Sequence, residues 1–232
     1  MAVLELDALS CGYGAKTVID AVSLALDAGE IVALLGHNGA GKTTTLKAIM
    51  GLLPARAGAV SLEGERIEKL STAERVRRGL RLLPEGRGIF PQLTVAENVD
   101  AVAAQNCGHA PMFDPAAIYR LFPVLDERRS SIAGKLSGGQ QQMLALSLAL
   151  LGAPRCLMLD EPSIGLAPNL VERMFDQLRA LSRDHGLPTI LVEQNVSAAM
   201  RVADRIMILN NGAVVFDGTP DEVRTTNVWH YF

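Results

Sequence analysis

Eight residues, "GHNGAGKT" from Gly36 to Thr43, constrain this chain more than any other stretch. They fit the pattern G-x-x-x-x-G-K-[ST]. They end a short apolar run, "GEIVALLG" (29–36), and lead into a helical run, "KTTTLKAIMG" (42–51), closed by Gly51. A loop of this kind acts between a buried strand and the start of a helix. Gly36, Gly39 and Gly41 let backbone N–H groups approach phosphate oxygens without side-chain clashes, and the helix start adds partial positive charge. Lys42 can then reach β- and γ-phosphates, and the Thr43 hydroxyl can ligate Mg²⁺. His37, Asn38 and Ala40 complete the loop and Thr44 continues it into the helix, so they are counted with the phosphate-binding residues. His37 reads as a solvated or supporting loop residue rather than a catalytic one.

The rest of the chain alternates in the way such a loop requires. Residues 3–9 alternate as a half-buried strand, and "GYGAK" turns into a second one. "GAVSLEGERI" (58–67) reads as a strand pair with a Glu-Gly turn, and "LRLLP" (80–84) as an apolar strand. Residues 94–135 read as mostly helical, with a break near 106–115. "RCLMLDEP" (155–162) and "PTILVEQ" (188–194) read as buried strands with helices between and after them. "RIMILNNGAVVFDG" (205–218) is a hairpin signalled by Asn211-Gly212. Strands alternating with helices imply an α/β fold with a mainly parallel sheet, antiparallel strands at both ends and a helical insertion.

Composition removes several alternatives. The 232 residues suffice for one large or two small domains, and a net charge of −3 does not suggest a nucleic-acid binder. Cys11, Cys107 and Cys156 form no CxxC pair, which fits a reducing compartment better than a disulfide framework or a zinc site. The opening "MAVLELDALS" has no basic stretch followed by an apolar core, so no signal peptide is expected. The longest apolar run, "MLALSLALLGAP" (143–154), is too short for a bilayer span of roughly 18 or more residues. Contact with a membrane is therefore expected only through partner proteins.

Two further motifs carry chemistry. In "CLMLDEPS" an apolar strand ends in Asp160 and Glu161. Carboxylates at the carboxyl end of a parallel strand face the ligand crevice. Asp160 can hold the Mg²⁺ shell, and Glu161 can orient or deprotonate an attacking water. In "LSGGQQQ" (136–142), Ser137, Gly138 and Gly139 form a small-residue helix start that again suits an anion, and Gln140 is counted with them as nucleotide-binding. One chain thus has two phosphate-binding helix starts, which is economically explained by a head-to-tail dimer closing over each nucleotide.

Taken together, these motifs resemble the ATP-binding cassette ATPases, in the family's order and over essentially the whole chain. The resemblance implies a single cassette over residues 1–232, with a helical subdomain at about 86–150 whose stretch 86–135 contacts a transmembrane partner. It implies ATP and Mg²⁺ as ligands, with Lys42, Glu161 and Gln194 as catalytic residues and Thr43, Glu85 and Asp160 at the metal. Tyr13 matches the aromatic that stacks on adenine, and "SIGLAP" (163–168) matches a loop crossing the dimer interface.

Two positions depart from the family's usual pattern. Glu85 stands where a metal-sensing glutamine is expected, and Gln194 stands where a γ-phosphate-contacting histidine is expected. A Glu85 oxygen can ligate Mg²⁺ as an amide oxygen can. The Gln194 amide can donate to phosphate but carries no proton at neutral pH, which leaves Glu161 as principal base. Gln92 reads as a surface residue. "LPEGRGIFPQLTVAENV" together with "ILVEQN" resembles the shorter ATPase subunit of branched-chain amino-acid, or related amide or urea, importers. That implies permease subunits, a second ATPase subunit of the same or another kind, and a peripheral place on the cytoplasmic side of the bacterial inner membrane. An exporter ATPase (for lipid, say), a non-transport cassette and a non-catalytic partner subunit are the alternatives. "RVRRGLR" (75–81) reads as a solvated helix face, and "NVWHYF" (227–232) as a tail packed on the domain.

Overall fold

The computed structural model describes residues 2–86, 88–104 and 111–226. In chain order the elements begin with β1 (Leu4–Tyr13), β2 (Lys16–Leu26), β3 (Ile31–Leu35), α1 (Lys42–Ile49), β4 (Ala57–Leu62), β5 (Glu65–Arg66), α2 (Thr72–Arg77) and β6 (Leu80–Leu83). The middle holds α3 (Val95–Ala103), α4 (Pro115–Leu121), α5 (Pro123–Asp126), a 3₁₀ turn (Ala133–Lys135) and α6 (Gly138–Leu150). Then follow β7 (Cys156–Asp160), α7 (Pro168–His185), β8 (Thr189–Val192), α8 (Val196–Val202), β9 (Arg205–Asn210), β10 (Ala213–Gly218) and α9 (Pro220–Thr225).

Every residue of β3, β7 and β8 is buried. Because successive side chains on a strand point to opposite faces, such strands need a hydrophobic layer on each side. The chain supplies both. Ile31, Ala33 and Leu35 join one core with Leu157, Leu159, Leu191 and the helices α3 to α8. Val32 and Leu34 join the other with Met158, Ile190, Val192, α1 and the antiparallel strands. The central sheet runs β10-β9-β3-β8-β7-β6, parallel from β9 to β6, with β10 antiparallel at its edge. A second, antiparallel sheet runs β2-β1-β4-β5. The expected mixture of a parallel core with antiparallel strands at both ends of the chain is thus present.

The inserted region is more broken than the sequence suggests. Pro115 and Pro123 each open a new helix rather than sit inside one, as the missing N–H and fixed φ of proline favour. Residues 106–110 of the expected break at 106–115 lie outside the described residues, as do Cys107, His109 and the 227–232 tail, while 111–114 precede α4 without helix. Phe113 pairs across an isolated bridge with Gly152, where the described chain resumes.

The basic segment 75–81 requires a correction. Arg75 does not lie on a solvated face; it is 3 % exposed. Its guanidinium donates to the carbonyls of Ala48 and Ile49, at 2.9 and 2.6 Å, and to those of Leu70 and Glu68. The last carbonyls of a helix lack intrahelical partners, so a buried arginine at the end of α1 satisfies them and complements the helix dipole. The amphipathic count could not show this, because Arg77 and Arg78 beside it are exposed. Replacing Arg75 by Ala would leave several carbonyls unpaired in the interior, at about 2–3 kcal/mol. The expected outcome is a fall in melting temperature of roughly 5–10 °C by differential scanning calorimetry, with Arg75→Lys in between.

Candidate functional site

The parallel strands end on one side of the sheet, and the loops that follow them meet there. An open cleft of about 520 Å³ is lined by Tyr13 and Lys16 from the β1–β2 turn, by Asn38 to Thr44 in part, and by Glu85, Glu161 and Gln194. A neighbouring cleft of similar size adds Asp160, Gln141 and Gln142 beside Glu85 and Glu161. Crevices at the carboxyl ends of parallel strands are where α/β folds place ligands.

The loop after β3 is shaped from behind. Gly212 donates to the Ala40 carbonyl at 2.9 Å. A Cβ on Gly212 would stand 2.0 Å from the Val18 carbonyl oxygen, and its φ is +81°. Asn211-Gly212 therefore makes a tight turn and also lets three backbones meet. Gly36, His37 and Ala40 do not line the cleft. His37 instead contacts the Asn38 carbonyl at 2.8 Å and the Asn210 amide at 3.2 Å, as a strut between the loop and β9.

Lys42 is 5 % exposed, and its ammonium donates to the Gly36 and His37 carbonyls at 2.7 and 3.1 Å. The Glu161 carboxylate stands 4.0 Å away. Burial lowers the pKa of Lys42, and Glu161 and Asp160 oppose that shift. The start of α1 has no side-chain cap, so its first N–H groups remain available to an anion.

Asp160 is 4 % exposed and accepts the Thr43 hydroxyl at 3.1 Å. Burial pushes its carboxyl above the usual range; the Thr43 hydroxyl pulls it back, while Glu161 and Glu85 push it further up. A hydroxyl and a carboxylate in contact, with a second carboxylate nearby, form the hard oxygen donor set that Mg²⁺ takes. The residues present therefore fit that ion.

Glu161 has a φ of +51°, in the left-handed region. It is held by its N–H to the Val192 carbonyl at 2.9 Å and by the Gln194 carboxamide, which donates to Oε2 at 2.7 Å. Gln194 thus meets the carboxylate that sequence reasoning named as base. Glu85 lines both clefts. Gln92 is exposed and lines neither. Ser137 accepts from the Gln140 N–H while Gln140 returns a bond to the Ser137 N–H, a capping box that opens α6. Ser137 to Gln140 do not line the Lys42 cleft of their own chain.

Two residues near the cleft were missed in the sequence. Arg56 donates to the carbonyls of Gly14 and Ala15 and to the Thr17 hydroxyl, at 2.5, 3.3 and 2.9 Å. It pins the turn beside Tyr13, which is 47 % exposed. Glu193 is 1 % exposed and grips Ser163. An arginine in a loop and a glutamate at a strand end carry no local signal of such partners.

A phosphate-binding loop, two strand-end carboxylates and an open cleft between them define a nucleotide-binding α/β ATPase. The sequence profile of the ABC transporter family matches residues 19–164. The chain is 39 % identical to the high-affinity branched-chain amino acid transport ATP-binding protein BraG of Pseudomonas aeruginosa, over 94 % of this chain and 93 % of that one. It is 38 % identical to a probable branched-chain amino acid transport ATP-binding protein, LivF, of Archaeoglobus fulgidus, over 93 % and 91 %. A solved ATP-binding subunit of an ABC transporter superposes with a TM-score of 0.81 at 33 % identity, covering 96 % of this chain and 92 % of that one. The chain belongs to the ABC transporter family as an ATP-binding subunit, and its activity is ATP hydrolysis coupled to transport.

Burying Asp160 among other carboxylates has a cost that the site bears without a cation. Its raised pKa means that stability present at low pH is lost as pH rises through the folded value. Asp160→Asn, which can still accept the Thr43 hydroxyl, is expected to raise the nucleotide-free melting temperature by about 2–4 °C at neutral pH. The gain should vanish at acidic pH, where Asp160 is itself protonated. Thermal melts at a series of pH values check both statements.

Proposed function

We propose that this chain powers an importer of branched-chain amino acids, hydrolysing ATP in a cleft completed by a second ATPase subunit. The observation that carries the mechanism is the meeting of two pairs at the strand ends, Thr43 with Asp160 and Gln194 with Glu161. The import reading is supported by the relatives' transport of branched-chain amino acids and by the occurrence of Glu85 and Gln194 in the same chain. Uptake of labelled leucine in a bacterium lacking this gene, restored by the wild-type chain and not by Glu161→Gln, is the expected test; normal uptake without the gene would sink the solute.

Phosphoryl transfer to water is catalysed chiefly by positioning and electrostatics. Tyr13 would stack on adenine. The α1 start, Asn38, Gly39 and Gly41 would cradle the phosphates, and Lys42 would exchange its carbonyl partners for phosphate oxygens. Thr43, Asp160 and Glu85 would hold Mg²⁺, which when bound neutralises charge on the β- and γ-phosphates. Glu161 would take a proton from the attacking water. A carboxamide has two N–H donors; one is spent on Glu161, and the other is free to meet the γ-phosphate. Gln194 would thus align base and substrate together. Residues 86–150 are proposed as the helical subdomain that meets the permease.

That Ser137 to Gln140 are not among the residues lining the Lys42 cleft supports their service to a nucleotide on the partner ATPase. Membrane contact would come through the permease, on the cytoplasmic face, since no helix among the described residues is long and apolar enough to cross a membrane.

Kinetics on purified protein discriminate the roles. Glu161→Gln should lower kcat at least about 100-fold, and Gln194→Ala about 10-fold, with ATP still bound. A Glu161→Gln enzyme near wild type beside a dead Gln194→Ala enzyme would overturn the assignment. Arg56→Ala should raise the ATP KM several-fold and leave kcat near wild type, because it loosens the turn beside Tyr13 and touches no reacting group.

A further inference from the structure

Glu193 is a buried carboxylate that the proposed mechanism does not use. At 1 % exposure it needs hydrogen bonds to remain inside the protein. Its Oε2 accepts the Ser163 hydroxyl at 2.7 Å and its Oε1 accepts the Ser163 N–H at 3.0 Å. The tie therefore joins two loops, with Ser163 in the one after β7 and Glu193 in the one after β8. Burial pushes the carboxyl up, and these donors pull it back.

The neighbours of Glu193 give this tie its meaning. Gln194, next in the chain, donates to Glu161 at 2.7 Å; Ser163 lies two residues beyond Glu161. Two cross-links, Glu193 with Ser163 and Gln194 with Glu161, thus join the same two loops side by side. Between them the left-handed backbone of Glu161 stores strain that its surroundings must hold. Beyond Ser163 the chain turns outward: Ile164 is 50 % exposed and lines the cleft, and Gly165 has a φ of +73°. A pair of adjacent strand ends is already joined by backbone bonds and needs no buried carboxylate. A carboxylate that fixes both Ser163 donors leaves one arrangement of the loop rather than several.

We infer that Glu193 is a positioning residue, tying the 163–168 loop to the strand end that carries Gln194, so that displacement of the loop moves the Gln194–Glu161 pair. This rests on the proposed role of Glu161.

The test compares ATP kcat, ATP KM and melting temperature for wild type, Glu193→Gln, Ser163→Ala and the double variant. Glu193→Gln keeps shape but turns an N–H toward the Ser163 donors. It is expected to lower kcat at least about tenfold with KM within about threefold. Ser163→Ala should lower kcat less, and the double variant should match Glu193→Gln, since both remove one link. A folded Glu193→Gln enzyme with wild-type kcat overturns the inference. So does a kcat loss that follows KM and melting temperature together, or a double variant in which the two losses multiply. Should Glu193→Gln not fold, Ser163→Ala decides, and unchanged kcat there overturns it. If wild type neither binds nor hydrolyses ATP, the functional reading falls; wild-type turnover with unaffected variants sinks only the role of Glu193.

Discussion

The Thr43 hydroxyl and the Asp160 carboxylate meet at 3.1 Å across 117 residues of chain. Neither side chain can reach the other unless β3 and β7 run parallel with their carboxyl ends level. That condition places β8 between them and hands its own end, with Glu193 and Gln194, to the same crevice. Parallel strands of this kind must be covered on both faces. The two hydrophobic layers follow from the site as much as the site follows from them.

Much of this was legible because it is local. The glycines of "GHNGAGKT", the apolar run before Asp160 and the Asn211-Gly212 turn each announce themselves within a few residues. The order of strands and helices then fixed a mainly parallel sheet. Glu85 and Gln194 were named from the resemblance to the ATP-binding cassette pattern, and both line the cleft. The residues that stayed hidden act at long range. Arg75 looked like one charge of a basic helix until the end of α1 was seen to lie against its guanidinium. Arg56 holds a turn some forty residues earlier in the chain, and Glu193 grips Ser163 thirty residues earlier. Periodicity reports which face of an element is apolar; it does not report which distant carbonyl or hydroxyl a buried charge will satisfy.

These hidden charges share a task. Each fixes backbone that has no regular hydrogen-bond ladder of its own: the end of a helix, the tip of a hairpin, the loops after two strands. Arg75 and Glu193 are buried and Arg56 is exposed, and each spends its hydrogen bonds on holding one backbone arrangement. In this site the geometry concerns a few oxygens that must converge on a triphosphate, and a loosely held turn would spread them.

The glutamine at position 194 changes how such a site can respond to conditions. A histidine there could gain a proton near neutral pH and alter its bond to Glu161 or to phosphate. A carboxamide cannot. The donor that orients Glu161 is the same at every physiological pH, so its influence must vary through position rather than charge. Position is what the Glu193–Ser163 link controls. With protonation removed as a variable at Gln194, mechanical connection between the two strand ends becomes the means by which events at the exposed 163–168 loop can reach the reacting groups.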